Sequence, residues 1–371
     1  MKHLTRNNLN DIKKLLKNKK FKKIIVITGY NSYYKSKANL ILKNVLLNKE
    51  VDFFFKKSFI PDINELEKII LKLKNFKPDL ILAVGGGAVL DYAKLANVFY
   101  DKQNLRFQIL NNNYNFKKKL CPIVALPTTA GSGAEVTSNS VIYIDGIKYS
   151  VENSLLKPNY FFIIPEFFLK LSSKIKASAG FDALSQSIES IISLRSNKTS
   201  RMYAEESLKI IFKYFDSYLI SPNKNNSFFM GIAANLSGKA IDITKTTAPH
   251  AVSYPFTSLY GIPHGHAVSL TLNEFLSFNY ENLNKVSSSF DLKNRFESLF
   301  KLTNSKNFKE FSSFLKNIKK KAGLNKRLET LGVNIDKDLN KILSGVNMKR
   351  LKNNPISTDI IAVKRILLSL K

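Results

Sequence analysis

The chain has one cysteine, Cys121, no tryptophan and only four histidines. A single thiol excludes an intrachain disulfide and suits a reducing compartment. Long apolar runs are missing too. The most apolar stretch, Tyr160 to Leu169, is short and broken by Pro165 and Glu166, where a membrane-spanning helix needs about 20 apolar residues. Met1 to Lys23 lacks the apolar core of a secretory signal. The expectation is a cytoplasmic protein with no membrane partner. Arginine is scarce: 8 of the 58 basic residues, against 28 acidic ones and a formal net charge of +30. Such a charge invites a nucleic-acid reading. Phosphate-reading surfaces, however, favour the arginine fork and cluster their charge. Here the lysines are scattered (Lys13–Lys14, Lys117–Lys119, Lys319–Lys321) among Asn, Ile and Phe. No nucleic-acid partner is expected, and Lys301 to Lys321 reads as a solvated helix face.

What is present is the composition of a globular protein. At 371 residues, with 44% hydrophobic and 23% charged, the chain has the length of two or three domains. Lys23 to Thr28 (KIIVIT), Asp79 to Val84 (DLILAV) and Pro122 to Leu126 (PIVAL) are continuous apolar runs, as expected of strands buried on both faces. A shorter run lies at Val51 to Phe55. Lys35 to Lys49 looks helical, Asp62 to Asn75 has the spacing of an amphipathic helix, and Val89 to Tyr100 resumes helical spacing. Strands alternating with helices predict a parallel sheet covered on both faces. Beyond Ser172 the spacing is helical: Ala177 to Ser193, Ser200 to Leu219, Phe228 to Ile243, then pieces to Leu370. The expectation is an α/β domain over 1–165 and an all-α domain over 166–371, with no internal repeat.

Three groups of residues carry chemistry. Gly85-Gly86-Gly87 follows a strand and opens a helix, so its backbone and the helix N-terminus suit a phosphate. Asp91 and Lys94 share one face of that helix. The alternative is a glycine turn without a ligand, and the spacing is not the ordinary G-x-G-x-x-G fingerprint. Leu126 to Thr137 (LPTTAGSGAEVT) is a second donor-rich loop, or a hydroxyl-capped turn. Two such loops at neighbouring strand ends are where open parallel sheets bind nucleotides. Finally, His250, His264 and His266 fall within 17 residues, with His250 shortly after a helix and His264 after a Tyr260-Gly261-Ile262-Pro263 turn. Asp182 and Gln186 lie four apart on an earlier helix. A carboxylate and two imidazoles suffice for an open divalent-metal site; surface or cap histidines are the bland alternative.

GGGAVLDYAK, LPTTAGSGAEVT, GFDALSQSIES and HAVSYPFTSLYGIPHGHA match, in order and spacing, the iron-containing (group III) alcohol dehydrogenases. The resemblance extends to Asn354-Pro355. It implies a dehydroquinate synthase-like fold, with a dinucleotide-binding α/β domain, a helical domain and a metal in the cleft between them. It also implies hydride transfer between NAD or NADP and an alcohol–aldehyde pair. By position, Gly85, Gly86, Gly87, Asp91, Thr128, Thr129 and Lys148 match cofactor-binding residues. Asp182, Gln186, His250 and His264 match the metal positions, for Fe2+ or alternatively Zn2+. Gln186 departs from the usual histidine, and Tyr254 replaces a further one. With Asp182, His250 and His264, His266 is counted among the catalytic residues as a candidate proton relay, beside a plain structural role.

The run from Gly238 to His250, the Tyr260–Ala267 segment and Gln186 together resemble the phosphonoacetaldehyde reductase branch. The implied substrate is a phosphonate aldehyde, reduced during phosphonate biosynthesis. Lys245, Thr246 and Thr247, just ahead of His250, offer a cation and hydroxyls to a phosphonate; a surface lysine is the competing reading of Lys245. The alternatives are reduction of another small aldehyde, dehydroquinate-synthase or glycerol-phosphate chemistry, and a basic binding protein with a vestigial site. A homodimer stays open.

Overall fold

A computed structural model of the chain describes residues 8–17, 20–286, 290–324 and 327–370. These divide into two compact units. One comprises 1–172 with 222–235, the other 173–221 with 236–371.

The first unit is built on a five-stranded parallel sheet, order β2-β1-β3-β4-β7. Its strands are β1 (Lys23–Gly29), β2 (Glu50–Lys56), β3 (Leu80–Gly85), β4 (Ile123–Pro127) and β7 (Tyr160–Phe161). The central strands alternate between two cores. Ile25, Ile27, Ile81, Ala83, Ile123 and Ala125 face one, while Ile24, Val26, Leu82, Val84, Val124 and Leu126 face the other. That double burial is why these strands read as unbroken apolar runs. Asp62 caps the Ile63–Phe76 helix through the amides of Asn64 and Glu65.

The expected helix over 35–49 is not continuous. Tyr30–Tyr34 and Ala38–Lys43 are short helices, interrupted at Lys37 and ended before Asn48, both left-handed. The sequence reading also lacked an antiparallel hairpin, β5 (Asn139–Ile144) with β6 (Ile147–Glu152). Asp145 and Gly146 both have positive φ at its tip, the Asp-Gly turn that such hairpins favour.

The second unit is helical, and no strand is assigned in it among the described residues. It contains Ser173–Ile192, Lys198–Ile220, Ala248–Tyr260, His264–Ser269 and further helices to Ile360–Leu368. Pro222–Asn235, expected in the helical domain, groups instead with the sheet. The cause is local packing. Gly231 lies against Ile163 and Phe168, so that a Cβ would come within 2.6 and 2.9 Å of their side chains. Asn235 donates to buried Glu135 at 2.9 Å. Among the described residues, no helix is long and apolar enough to cross a membrane.

Candidate active site

In the helical unit, the Ser173–Ile192 helix carries Asp182, Gln186 and Glu189 at i, i+4 and i+7, one face of the helix. His250 lies shortly after the Lys224–Thr244 helix, as expected, and in the first turn of the next one, Ala248–Tyr260, where Pro249 is well tolerated. His264 opens the His264–Ser269 helix, after left-handed Gly261 ends its predecessor. Asp182, His250 and His264 thereby converge, with one ligand atom from each within 4.8 Å of the others. His250 Nε2 lies 3.1 Å from Asp182 Oδ1, and its Nδ1 makes a short contact with Glu189 Oε1. Burial pushes the His250 imidazole down, but Glu189 and Asp182 outweigh it and carry it up to about 9. The group therefore draws positive charge to a buried place. Its donors, one carboxylate and two imidazoles, fit a divalent iron or zinc ion.

The other expected members lie around this group. Gln186 is buried, and its Oε1 accepts from Ser237 Oγ at 3.0 Å. His266 is buried outside the three-residue group, its amide donating to Ser178 Oγ at 3.1 Å. Tyr254 stacks on His264, ring centroids 5.9 Å apart, and its hydroxyl bonds with Thr246 and Arg350. Burial raises the Tyr254 phenol, against the pull of the Arg350 guanidinium.

Lys245 is left-handed, with φ 60°. Both flanking carbonyls, Thr244 and Thr246, accept from Asn353 Nδ2 at 2.8 and 3.0 Å, which fixes the turn. Lys245 Nζ donates to the Asp242 carbonyl at 3.2 Å. Thr247 corrects an expectation. It is fully buried, and its amide and hydroxyl both donate to Glu189 Oε2, at 2.7 and 2.9 Å. That hydroxyl is held inside the protein and is not presented to a substrate.

In the first unit, pairing of Gly85 with Pro127 sets the glycine and threonine loops at adjacent strand ends. Thr128 N–H donates to the Gly85 carbonyl at 3.0 Å. Gly86 and Gly87 leave the Gly87–Phe99 helix N-terminus partly exposed. A Cβ at Gly86 would meet Thr129 at 3.0 Å, and one at Gly87 would meet Ser132 at 2.8 Å. The hairpin brings Asp91 and Lys148 together. The Asp91 carboxyl is raised by burial, opposed by Lys94, by the Val141 amide, by Lys148 and by the Ser140 hydroxyl. Lys94 is fully buried and donates to Ala134 O, Thr137 Oγ1 and Asn139 O at 3.0, 3.0 and 2.6 Å. It ties down the loop that carries the threonines.

Sequence reasoning missed Glu189 and Arg350. Glu189 was findable, since it continues the Asp182–Gln186 face by one further turn. Arg350, buried beside Tyr254, carried no signal of its own among so many basic residues.

The sequence model of the iron-containing alcohol dehydrogenases matches residues 3–165, and that of the family's C-terminal domain matches 176–370. The aldehyde-alcohol dehydrogenase of Clostridium acetobutylicum is 29% identical over 280 residues, 71% of this chain and 32% of that protein. An alcohol dehydrogenase of Thermococcus barophilus is 28% identical over 238 residues, 62% of each. The matches thus span about a third to three-fifths of these relatives. Among solved structures, sulfoacetaldehyde reductase from Bifidobacterium kashiwanohense in complex with NAD+ superposes with a TM-score of 0.86 at 25% identity. The alignment covers 99% of this chain and 95% of that one. An iron-containing alcohol dehydrogenase from Thermotoga maritima gives 0.81 at 26% identity, covering 96% and 95%.

Proposed function

The chain belongs to the iron-containing alcohol dehydrogenase family, and on that premise we propose that it is a metal-dependent, NAD(P)H-dependent aldehyde reductase. Its substrate is a two-carbon aldehyde with a tetrahedral anionic end, phosphonoacetaldehyde first, reduced to 2-hydroxyethylphosphonate. The observation that carries the reading is the convergence of Asp182, His250 and His264.

When bound, the metal supplies positive charge at the carbonyl oxygen and the nicotinamide supplies the hydride. Asp182, His250 and His264 hold that metal in this reading, with Gln186 beside them. Gly86, Gly87, Thr128 and Thr129 offer backbone and hydroxyl donors to the dinucleotide's phosphates, and Asp91 with Lys148 completes that site. With His250 and His264 given to the metal, the alkoxide's proton is left to water, a cofactor ribose hydroxyl or His266.

Lys245 supports the anionic end. A non-glycine residue at positive φ costs about 1–3 kcal/mol and persists where its surroundings hold it, commonly at functional sites. Here Asn353 holds it. The resemblance to a reductase of sulfoacetaldehyde, itself a two-carbon aldehyde bearing an oxyanion, supports a charged tail as well. The test compares phosphonoacetaldehyde, sulfoacetaldehyde and propanal by NAD(P)H oxidation at equal metal loading. Highest kcat/KM with phosphonoacetaldehyde is expected. Equal or better turnover of propanal would overturn the substrate, and full activity after chelation would overturn the metal.

A further inference from the structure

We infer that Glu189 is a positioning residue that sets His250 for metal binding; the inference rests on the metal reading above. Glu189 has no solvent exposure, and a buried carboxylate is retained only where donors satisfy it. Three donors reach it: His250 Nδ1 at one oxygen, and the Thr247 amide and hydroxyl at the other. Thr247 is the residue before the Ala248–Tyr260 helix, and its own side chain does not cap that helix. Glu189 therefore fastens the start of the helix that bears His250 to the helix that bears Asp182.

The count of donors decides the chemistry. A carboxylate has an acceptor oxygen on each side, so it takes the imidazole N–H and the Thr247 pair together. A glutamine of the same size has one acceptor oxygen and one donor nitrogen. It can serve His250 or the Thr247 amide, not both. With Glu189 accepting, a proton stays on Nδ1, so Nε2, 3.1 Å from Asp182 Oδ1, is the nitrogen that must give up its proton to take a metal. Outer partners of this kind are generally worth about 10- to 100-fold in metal affinity.

The test measures Co2+ affinity by competition with a chelator, together with the visible absorption bands of bound Co2+. The unaltered chain, Glu189→Gln and Glu189→Ala are compared, with circular dichroism and Tm recorded for each metal-free form. Glu189→Gln keeps the volume and guards against loss of fold in the alanine variant. Expected is a folded Glu189→Gln protein whose Co2+ affinity falls about 10- to 100-fold, with altered bands. A lower Tm with unchanged affinity and bands would show Glu189 to be structural only and overturn the inference. If the unaltered chain binds no Co2+, the metal reading itself fails, and the inference falls with it.

Discussion

Gly265 packs against the backbone of Ser178 so closely that a Cβ would lie 1.9 Å from the Ser178 carbonyl oxygen. The Asp182 amide and Cβ would be 2.8 Å away. Its φ is not positive, so space, not conformation, demands glycine here. Asp182 is one turn beyond Ser178, and His264 immediately precedes Gly265. Any separation of the two helices therefore pulls His264 away from Asp182. Gly265→Ala should lose about 1–3 kcal/mol of stability and most of its metal. Tm and metal content measure both. An alanine variant unchanged in each would mean that the contact can relax without moving the site.

Acid stability should depend on Glu65. Burial alone would raise this carboxyl, but the Lys57 and Ser58 amides and the Ser58 and Tyr92 hydroxyls hold it below the usual range. Tyr92 donates to it at 2.8 Å and accepts from the Asp62 amide at 2.6 Å. A carboxyl depressed by folding stabilises the native state above its unfolded value. That contribution is lost as pH falls from about 4.5 through the lower folded value. Glu65→Gln should cost about 1–3 kcal/mol at pH 7 and flatten the acid limb of a Tm–pH curve. Parallel curves for the two proteins would remove Glu65 from the acid response.

What the sequence made legible follows from where information is local. Ile24 to Ile27 and Leu80 to Val84 are apolar at every position because the sheet is covered twice, and no partner need be known to see it. The 139–152 hairpin depends on a long-range docking face, yet its Asp145-Gly146 tip was a readable turn signal. Pro249 marks the first turn of the helix that carries His250, a position that proline suits. Asp182, His250 and His264 were recognisable from motifs, but Glu189 and Lys94 act through burial and partners 40 or more residues away. The helical spacing shows which face Glu189 and Lys94 lie on, but only the folded chain shows what they hold there.

Cofactor preference is testable at the end of β1. Thr28 is followed by Gly29, Tyr30, Asn31 and Ser32, with no carboxylate to accept from a ribose 2′-hydroxyl and repel a 2′-phosphate. The Thr28 hydroxyl is engaged with the Val84 carbonyl at 2.6 Å, while Lys35 is exposed nearby in sequence. NADPH should be used at least as efficiently as NADH. Ser32→Asp should lower kcat/KM for NADPH by roughly tenfold or more and leave NADH nearly unaffected, since only NADPH brings a like charge. A wild-type preference for NADH would contradict the assignment.

Lys245 is where the substrate assignment can fail most cleanly. A phosphonate carries its dianion a short distance from the carbonyl, and a charge placed there without a partner would be costly. Lys245 is held in its turn by Asn353, and its Nζ donates to the Asp242 carbonyl at 3.2 Å, a long neutral-acceptor bond with which a phosphonate dianion can compete. A charge-assisted contact is worth about 1.5–3 kcal/mol, so Lys245→Ala should cost about 10- to 150-fold in kcat/KM for phosphonoacetaldehyde. Propanal, which makes no such contact, should lose little. Lys245→Gly removes the same charge in a conformation glycine accepts freely, so it separates the lost contact from backbone strain. Both variants should discriminate against the phosphonate alike. Equal losses on both aldehydes would make Lys245 a support of the turn before His250, and no loss on either would return it to the solvated lysines.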